Sequence, residues 1–479
     1  MITELLCING EYRAASCGKT GKAVNPATGE QLGEFAWDEG EDTAAALDAA
    51  ADALPGWQAR SGRERGIVLR QIAAAIRDNR ESLAQLLTTE HGKALKEAYG
   101  ELEGSALHFE WYAEEAQRIE GRWLTPATTS KRHLVMQQPV GVVAAIMPFN
   151  FPVMLWARKV APAMGAGCTV VAKPAGSTAL IAAAANRLCH DAGLPSGVHN
   201  FVTGKSSAIA ATLLDDQRVA KLTFTGSTEV GVQLQQLAAK HLIRTSMELG
   251  GNAPAVVFDD VDLDFAAAKV AGGKFRNIGQ SCIAINRIFV QRSIHDAFVE
   301  ALAQKITALK TGNGLDEGVD MGAMIDAAAV EKVERHVADA LDKGGKLVAG
   351  GTRLTDGALA AGNFFAPTLI TNASRDMLFT DEETFGPVAF VQAFDTEEEV
   401  IGKANDTQYG LAAYVLTRDL DRALRVCEAI RAGTVALNDD VPSNTIAPFG
   451  GFKMSGLGRE CSTEGIEAFL ETKHVSIGI

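Results

Sequence analysis

From Pro139 onward the chain is a series of short apolar runs separated by helix-length segments, and no other feature restricts its fold as sharply. GVVAAIM at 141–147, CTVVAK at 168–173, HNFVTG at 199–204 and AKLTFTG at 220–226 are too short for buried helices. Strands of this kind alternating with helical segments read as βαβ units that build a parallel sheet. PAVVF at 254–258 opens a second set, which continues through RIFVQ at 287–291, KLVAGG at 346–351 and PVAFVQAF at 387–394. Asp259 and Asp260 are good N-cap residues for the helix read over Leu263–Arg276, and Gly250–Gly251 marks the expected domain boundary between the sets. Upstream, Thr43–Ala53 and Arg63–Asn79 carry apolar residues at three- and four-residue spacing and read as helices.

With 479 residues the chain is too long for one core, and two or three domains are expected. The formal charge of -14 repels phosphate backbones and anionic lipid, so neither nucleic acid nor a membrane surface is an expected partner. A small anionic ligand is still compatible with it where local arginines outweigh the global field. The opening MITELLCINGEYR lacks the basic start and apolar core of a signal peptide, and no run is long enough to span a bilayer, so the cytoplasm is the expected compartment. Seven widely spaced cysteines without a C-x-x-C pair form neither a disulfide framework nor a zinc site; each reads as a free thiol, and no metal is expected.

The familiar phosphate-binding fingerprints are absent: there is no G-x-x-x-x-G-K-[ST], and no G-x-G-x-x-G follows a strand. Gly312 and Gly314 in TGNGLDEG read as a turn. Thr225-Gly226-Ser227 with Gly231 sits where a strand hands over to a helix, which suits either a pyrophosphate at the helix N-terminus or an ordinary βα turn. Cys282 in GQSC, taken without its context, reads more readily as a small buried hydrophobe than as a nucleophile. Glu248 in MELGG is a surface glutamate or a base beside two glycines that let backbones approach closely. Asn150 in PFNFP is held by prolines on both sides, as a structural turn or as a firmly placed amide.

PFNFP, KPAG, FTGS, MELGG, GQSC and EETFGP follow one another in an order that resembles the successive motifs of the aldehyde dehydrogenase superfamily, and the resemblance runs from Asn25 to the C-terminus. It implies an α/β fold of two doubly wound domains plus a small β oligomerisation hairpin. It also implies that Cys282 is the nucleophile, forming a thiohemiacetal and then a thioester. Asn150 would donate to the oxyanion and Glu248 would activate the hydrolytic water. For the NAD or NADP cofactor the matching positions are Lys173 at the adenosine ribose, Ser227 with Gly226 at the pyrophosphate, Glu383 at the nicotinamide ribose, and Phe385 and Phe149 near the ring. NAD-preferring members often carry a glutamate three residues after the lysine. Here that position is Gly176, followed by Ser177, so NADP is expected to be accepted and even preferred.

Within the superfamily, KFRNIGQSC, GNFFAPTLI, IAPFGGFKMSGLGRE and EGIEAFLETKHVSIGI resemble the succinate-semialdehyde dehydrogenases. That group grips a distal carboxylate with two arginines and a serine, which match Arg158, Arg276 and Ser443. The clamp does not measure chain length, so glutarate, 2-oxoglutarate, sulfonated and phosphonated aldehydes fit it too, and either arginine could instead make a structural ion pair. NDDVP at 438–442 departs from the pattern beside Ser443, and Ala284 stands where some relatives have a second, regulatory cysteine. Glu248 argues for hydrolysis rather than transfer of the acyl group to coenzyme A. The joint presence of Cys282, Glu248 and Asn150 argues against a non-catalytic protein on the same fold. The expected division is a cofactor domain from 1–117 and 140–250, a catalytic domain from 251–446, and oligomerisation elements at 118–139 and 447–479. A homodimer or homotetramer is expected, because exposed edge strands invite pairing between subunits.

Overall fold

A computed structural model describes residues 2–479. The apolar runs form two separate sheets. In the first, strands Val142–Ile146, Thr169–Lys173, His199–Phe201, Val219–Thr225 and Arg244–Glu248 are parallel. The antiparallel strands Leu6–Ile8, Glu11–Arg13 and Gly456–Leu457 complete its edges. From Val142–Ile146 the chain winds to His199–Phe201 on one side, then crosses over and adds Val219–Thr225 and Arg244–Glu248 on the other. The strand order therefore reverses between Val142–Ile146 and Val219–Thr225, and a crevice opens at the carboxyl ends of such a pair.

The second sheet has Ala253–Val257 and Ile285–Gln291 near its centre, with Thr368–Thr371, Val388–Phe394, Ala412–Leu416 and Thr434–Leu437 parallel around them and Lys346–Ala349 antiparallel at one edge. The chain passes from one sheet to the other across Leu249–Asn252. Both sheets carry helices on their two faces, so the central strands are buried throughout, as their unbroken apolar runs require. Among the described residues no helix is long and apolar enough to cross a membrane.

A third sheet stands apart: Lys131–Pro139 pairs antiparallel with Arg122–Leu124 on one side and with Leu470–Gly478 on the other. One sequence expectation fails in detail. The helix Leu263–Phe275 is capped by Asp262, whose carboxylate accepts from Phe265 N–H at 2.9 Å, and not by Asp259 or Asp260. Asp260 instead accepts from the backbone N–H groups of Arg418 and Asp419 at 2.9 Å, tying together two loops that are distant in sequence.

Candidate active site

A cleft of about 330 Å³ lies between the carboxyl edge of the first sheet and the amino edge of the second. Phe149 and Asn150 reach it from the loop after Val142–Ile146, and Gly226 and Ser227 from the loop after Val219–Thr225, the two strands that flank the order reversal. Cys282, Glu383 and Phe385 come from segments leading into strands of the second sheet. Seven of the sequence-predicted residues thus line one cavity, although they are spread from Phe149 to Phe385.

Cys282 is held by close backbone packing. A Cβ on Gly251 would lie 2.1 Å from the Cys282 carbonyl oxygen, so only glycine permits this approach. Burial, with the nearby Glu383 and Glu248 charges, pushes the Cys282 thiol up to about 12, and Arg158 opposes that shift. Asn150 is buried, and its side-chain amide donates to the Gln280 carbonyl at 3.1 Å, which leaves its second N–H unspent. Two residues that the sequence did not single out fix this loop. The buried Lys93 ammonium donates to the Asn150 carbonyl at 2.8 Å and to Glu101 at 2.6 Å, and Glu101 in turn accepts from Val153 N–H at 2.9 Å and Met154 N–H at 3.2 Å at the start of the helix Pro152–Ala166.

Glu248 ends the strand Arg244–Glu248 and does not line the cavity, although the next two residues, Leu249 and Gly250, do. It is buried, and neither carboxyl oxygen has a hydrogen-bond partner among the described residues. Burial and the adjacent Glu460 charge raise its affinity for a proton well above the ordinary carboxylate range. Glu460 pairs with the buried Lys159 ammonium at 2.5 Å, and that ammonium also donates to Thr223 Oγ1 at 3.3 Å. Glu460 closes the IAPFGGFKMSGLGRE segment and Lys159 follows Arg158, but nothing local announces a pair that is 301 residues apart.

The cofactor positions divide. Ser227 caps the helix Thr228–Ala239, its hydroxyl accepting from Val230 N–H at 3.3 Å, and the buried Thr225 hydroxyl beside it has no partner among the described residues. A helix N-terminus with free donors facing a cleft suits a pyrophosphate. Glu383 accepts from Gly251 N–H at 3.1 Å; burial pushes its carboxyl up to about 7, countered by Lys332 and Lys274. Phe149 and Phe385 meet edge to face with centroids 5.9 Å apart. Lys173, Gly176 and Ser177 lie outside the cavity, farther along the same sheet edge, where Lys173 pairs with Ile146 in register. The Lys173 ammonium, pushed down to about 8 by burial, donates to Ser206 Oγ at 2.6 Å. These residues fit a dinucleotide laid along the carboxyl edge with its nicotinamide end in the cavity.

Of the three clamp residues, Arg158 and Ser443 touch: Nη2 donates to the serine hydroxyl at 3.0 Å. Arg158 is buried, with its guanidinium 4.7 Å from the centroid of the Phe449 ring. Arg276 is half-buried, 5.8 Å from the centroid of Phe151, and contacts neither of the other two. Among the described residues no carboxylate lies within 4 Å of either guanidinium, so neither is consumed by a structural ion pair. The acidic residues that precede Ser443 are turned elsewhere, Asp440 to Lys269 at 2.7 Å and Asp439 to backbone N–H groups of its own loop. Among the described residues no group of three or more His, Cys, Asp or Glu side chains could hold a metal ion.

A thiol in a closed backbone niche, a buried carboxyl and a sheet edge that fits a dinucleotide suit an NAD(P)-dependent oxidoreductase. The chain belongs to the aldehyde dehydrogenase family, whose sequence pattern matches residues 12–475, and it is an NAD(P)-dependent aldehyde dehydrogenase. It is similar to the succinate-semialdehyde dehydrogenase [NADP(+)] GabD of Escherichia coli, 47% identical over 98% of this chain and 97% of that one. The glutarate-semialdehyde dehydrogenase of Pseudomonas putida is equally similar, 47% identical with the same coverage. The crystal structure of an E. coli NADP-dependent enzyme superposes with a TM-score of 0.98 at 46% identity, covering 100% of this chain and 98% of that one.

Proposed function

We propose that this enzyme oxidises a short aldehyde carrying a distal carboxylate, with succinate semialdehyde as the first candidate, to the corresponding acid. The observation that carries this reading is that neither Arg158 nor Arg276 makes an ion pair with a carboxylate among the described residues, the Glu460 and Glu248 charges reaching Arg158 only from beyond contact. A buried arginine without a carboxylate partner is costly unless a ligand supplies the anion. The names of the relatives in the comparison, succinate- and glutarate-semialdehyde dehydrogenases, agree with this chemistry and differ in chain length.

In this reading Cys282 Sγ adds to the aldehyde carbon and the free N–H of Asn150 stabilises the oxyanion; losing such a donor costs about 2.7–4 kcal/mol of barrier. Bound NAD(P)+ supplies the hydride acceptor. Glu248 takes the proton from the water that hydrolyses the Cys282 thioester, and its raised proton affinity makes it a stronger base than an ordinary surface carboxylate. NADP is the preferred cofactor, because a 2′-phosphate beside Lys173 meets an ammonium and Ser206 while Gly176 offers no carboxylate to repel it.

The test is a panel of kcat/KM values with NADP and NAD for succinate semialdehyde, glutarate semialdehyde, sulfonated short aldehydes and neutral aldehydes of matched length. The anionic substrates should be favoured, and equal turnover of neutral aldehydes would reject the clamp. A Cβ at Gly176 meets only the Phe35 ring, at 3.6 Å, so Gly176→Glu is sterically admissible and should shift the preference towards NAD. An unchanged ratio would place cofactor choice elsewhere.

A further inference from the structure

We propose that His108 is a positioning residue for the substrate anion: its neutral imidazole locks Arg158 so that the guanidinium presents its Nη1–Nη2 edge to the distal carboxylate, and it ties that edge to the loop carrying Ser443. This inference rests on the anionic-aldehyde reading above. His108 lies in the helix Leu95–Glu115, and its side chain is buried. Its Nδ1 lies 3.0 Å from the Gly104 carbonyl oxygen, which can only accept, so the ring proton belongs on Nδ1 and the Nε2 lone pair is free. Arg158 Nε donates to that lone pair at 3.3 Å. Burial and the Arg158 charge push the imidazole down to about 3, so the ring is an acceptor at any working pH and never a second cation.

The rest of the guanidinium is equally constrained. Nη2 gives one N–H to Ser443 Oγ at 3.0 Å, Phe449 covers a face, and Nη1 makes no hydrogen bond to another described residue. With Nε occupied, a carboxylate cannot approach side-on across Nε and Nη2. The end-on edge of Nη1 and the second Nη2 proton is what remains for bidentate binding. The same ring reaches the serine's loop, since Thr445 Oγ1 lies 3.0 Å from His108 Nδ1 and shares that N–H with the Gly104 carbonyl. The remaining neighbour is the Cys461 thiol, 3.7 Å from Nε2. His108 therefore touches both Arg158 and the loop that carries Ser443, from a helix that does not line the cleft.

The test compares the ratio of kcat/KM for succinate semialdehyde to that for butanal in the wild type and in Arg158→Ala, His108→Phe, His108→Gln and His108→Asn, with cofactor binding as the check of folding. Losing a hydrogen bond to a charged group should lower the ratio by about tenfold or more in His108→Phe, chiefly through KM for the anionic substrate. Gln places an acceptor at the ε position and should restore most of the preference; Asn keeps only the δ position and should not. A merely structural histidine would not separate Gln from Asn in this ratio. If the wild type has no anionic preference, or Arg158→Ala leaves it intact, the anionic reading falls and this inference with it. If both hold but His108→Phe keeps the wild-type ratio, or Gln and Asn behave alike, only the inference is overturned; the Gln and Asn pair decides should the Phe variant not fold.

Discussion

Glu248 and Cys282 are both pushed towards their neutral forms at rest by burial and by neighbouring negative charge. A carboxyl whose proton affinity is raised in the folded protein stays protonated to higher pH, and its base form appears only as pH climbs through that raised value. In the proposed reaction kcat should therefore increase with pH across a range above the ordinary carboxylate region. Glu248→Gln removes the base and should remove that limb of the profile. Loss of general base catalysis typically costs about 10²–10⁴-fold in rate, so the variant should release one burst of reduced cofactor per active subunit and then nearly stop. Rapid-mixing absorbance at the reduced-nicotinamide band reads both phases. Steady turnover within a few-fold of wild type would take hydrolysis away from Glu248.

At the scale of elements, the site depends on how the helix Pro152–Ala166 is started. Its first N–H groups are satisfied from a different helix by Glu101, and Lys93 neutralises Glu101 while gripping the Asn150 carbonyl. Removing one partner of a buried ion pair costs about 3–5 kcal/mol, because it leaves the other charge uncompensated. Lys93→Ala should accordingly lower the denaturation midpoint markedly, whereas truncating the exposed ion-pair residue Arg292 should do little. Equal midpoints for the two variants would contradict this account of how Asn150 is held. The sequence made the strands legible because an unbroken apolar run bounded by turns has few other solutions, and it located Cys282, Asn150, Gly226 and Glu383 because each sits in a short motif. It misplaced the cap of Leu263–Phe275 by choosing the first aspartates of a run in which Asp262 does the capping and Asp260 serves another loop. Lys93, His108, Lys159 and Glu460 escaped it for a related reason: Lys93 meets the Asn150 carbonyl 57 residues away, His108 meets Arg158 50 residues away and Lys159 meets Glu460 301 residues away, and no local pattern encodes such meetings.

At the scale of the molecule, the cleft lies between two sheets, the first bringing Asn150, Gly226 and Ser227 to it and the second Cys282 and Glu383, while the third sheet contributes none of its lining. Among the described residues that third sheet has three strands, and the outer side of its strand Leu470–Gly478 pairs with no other strand. Trp123 is 61% exposed and Ile479 69% exposed on the same small element, a combination that a lone subunit gains nothing from keeping. Backbone donors along an open edge with apolar side chains beside it are satisfied by a second chain. We therefore expect a homodimer or homotetramer that uses 118–139 and the C-terminal strand. Light scattering should give a multiple of the 50.6 kDa chain mass. Trp123→Glu combined with Ile477→Lys, which places charges on this element away from the cleft, should shift the mass to a smaller species. A wild type that runs as a single chain, or a double variant of unchanged mass, would mean that this sheet serves some purpose other than assembly.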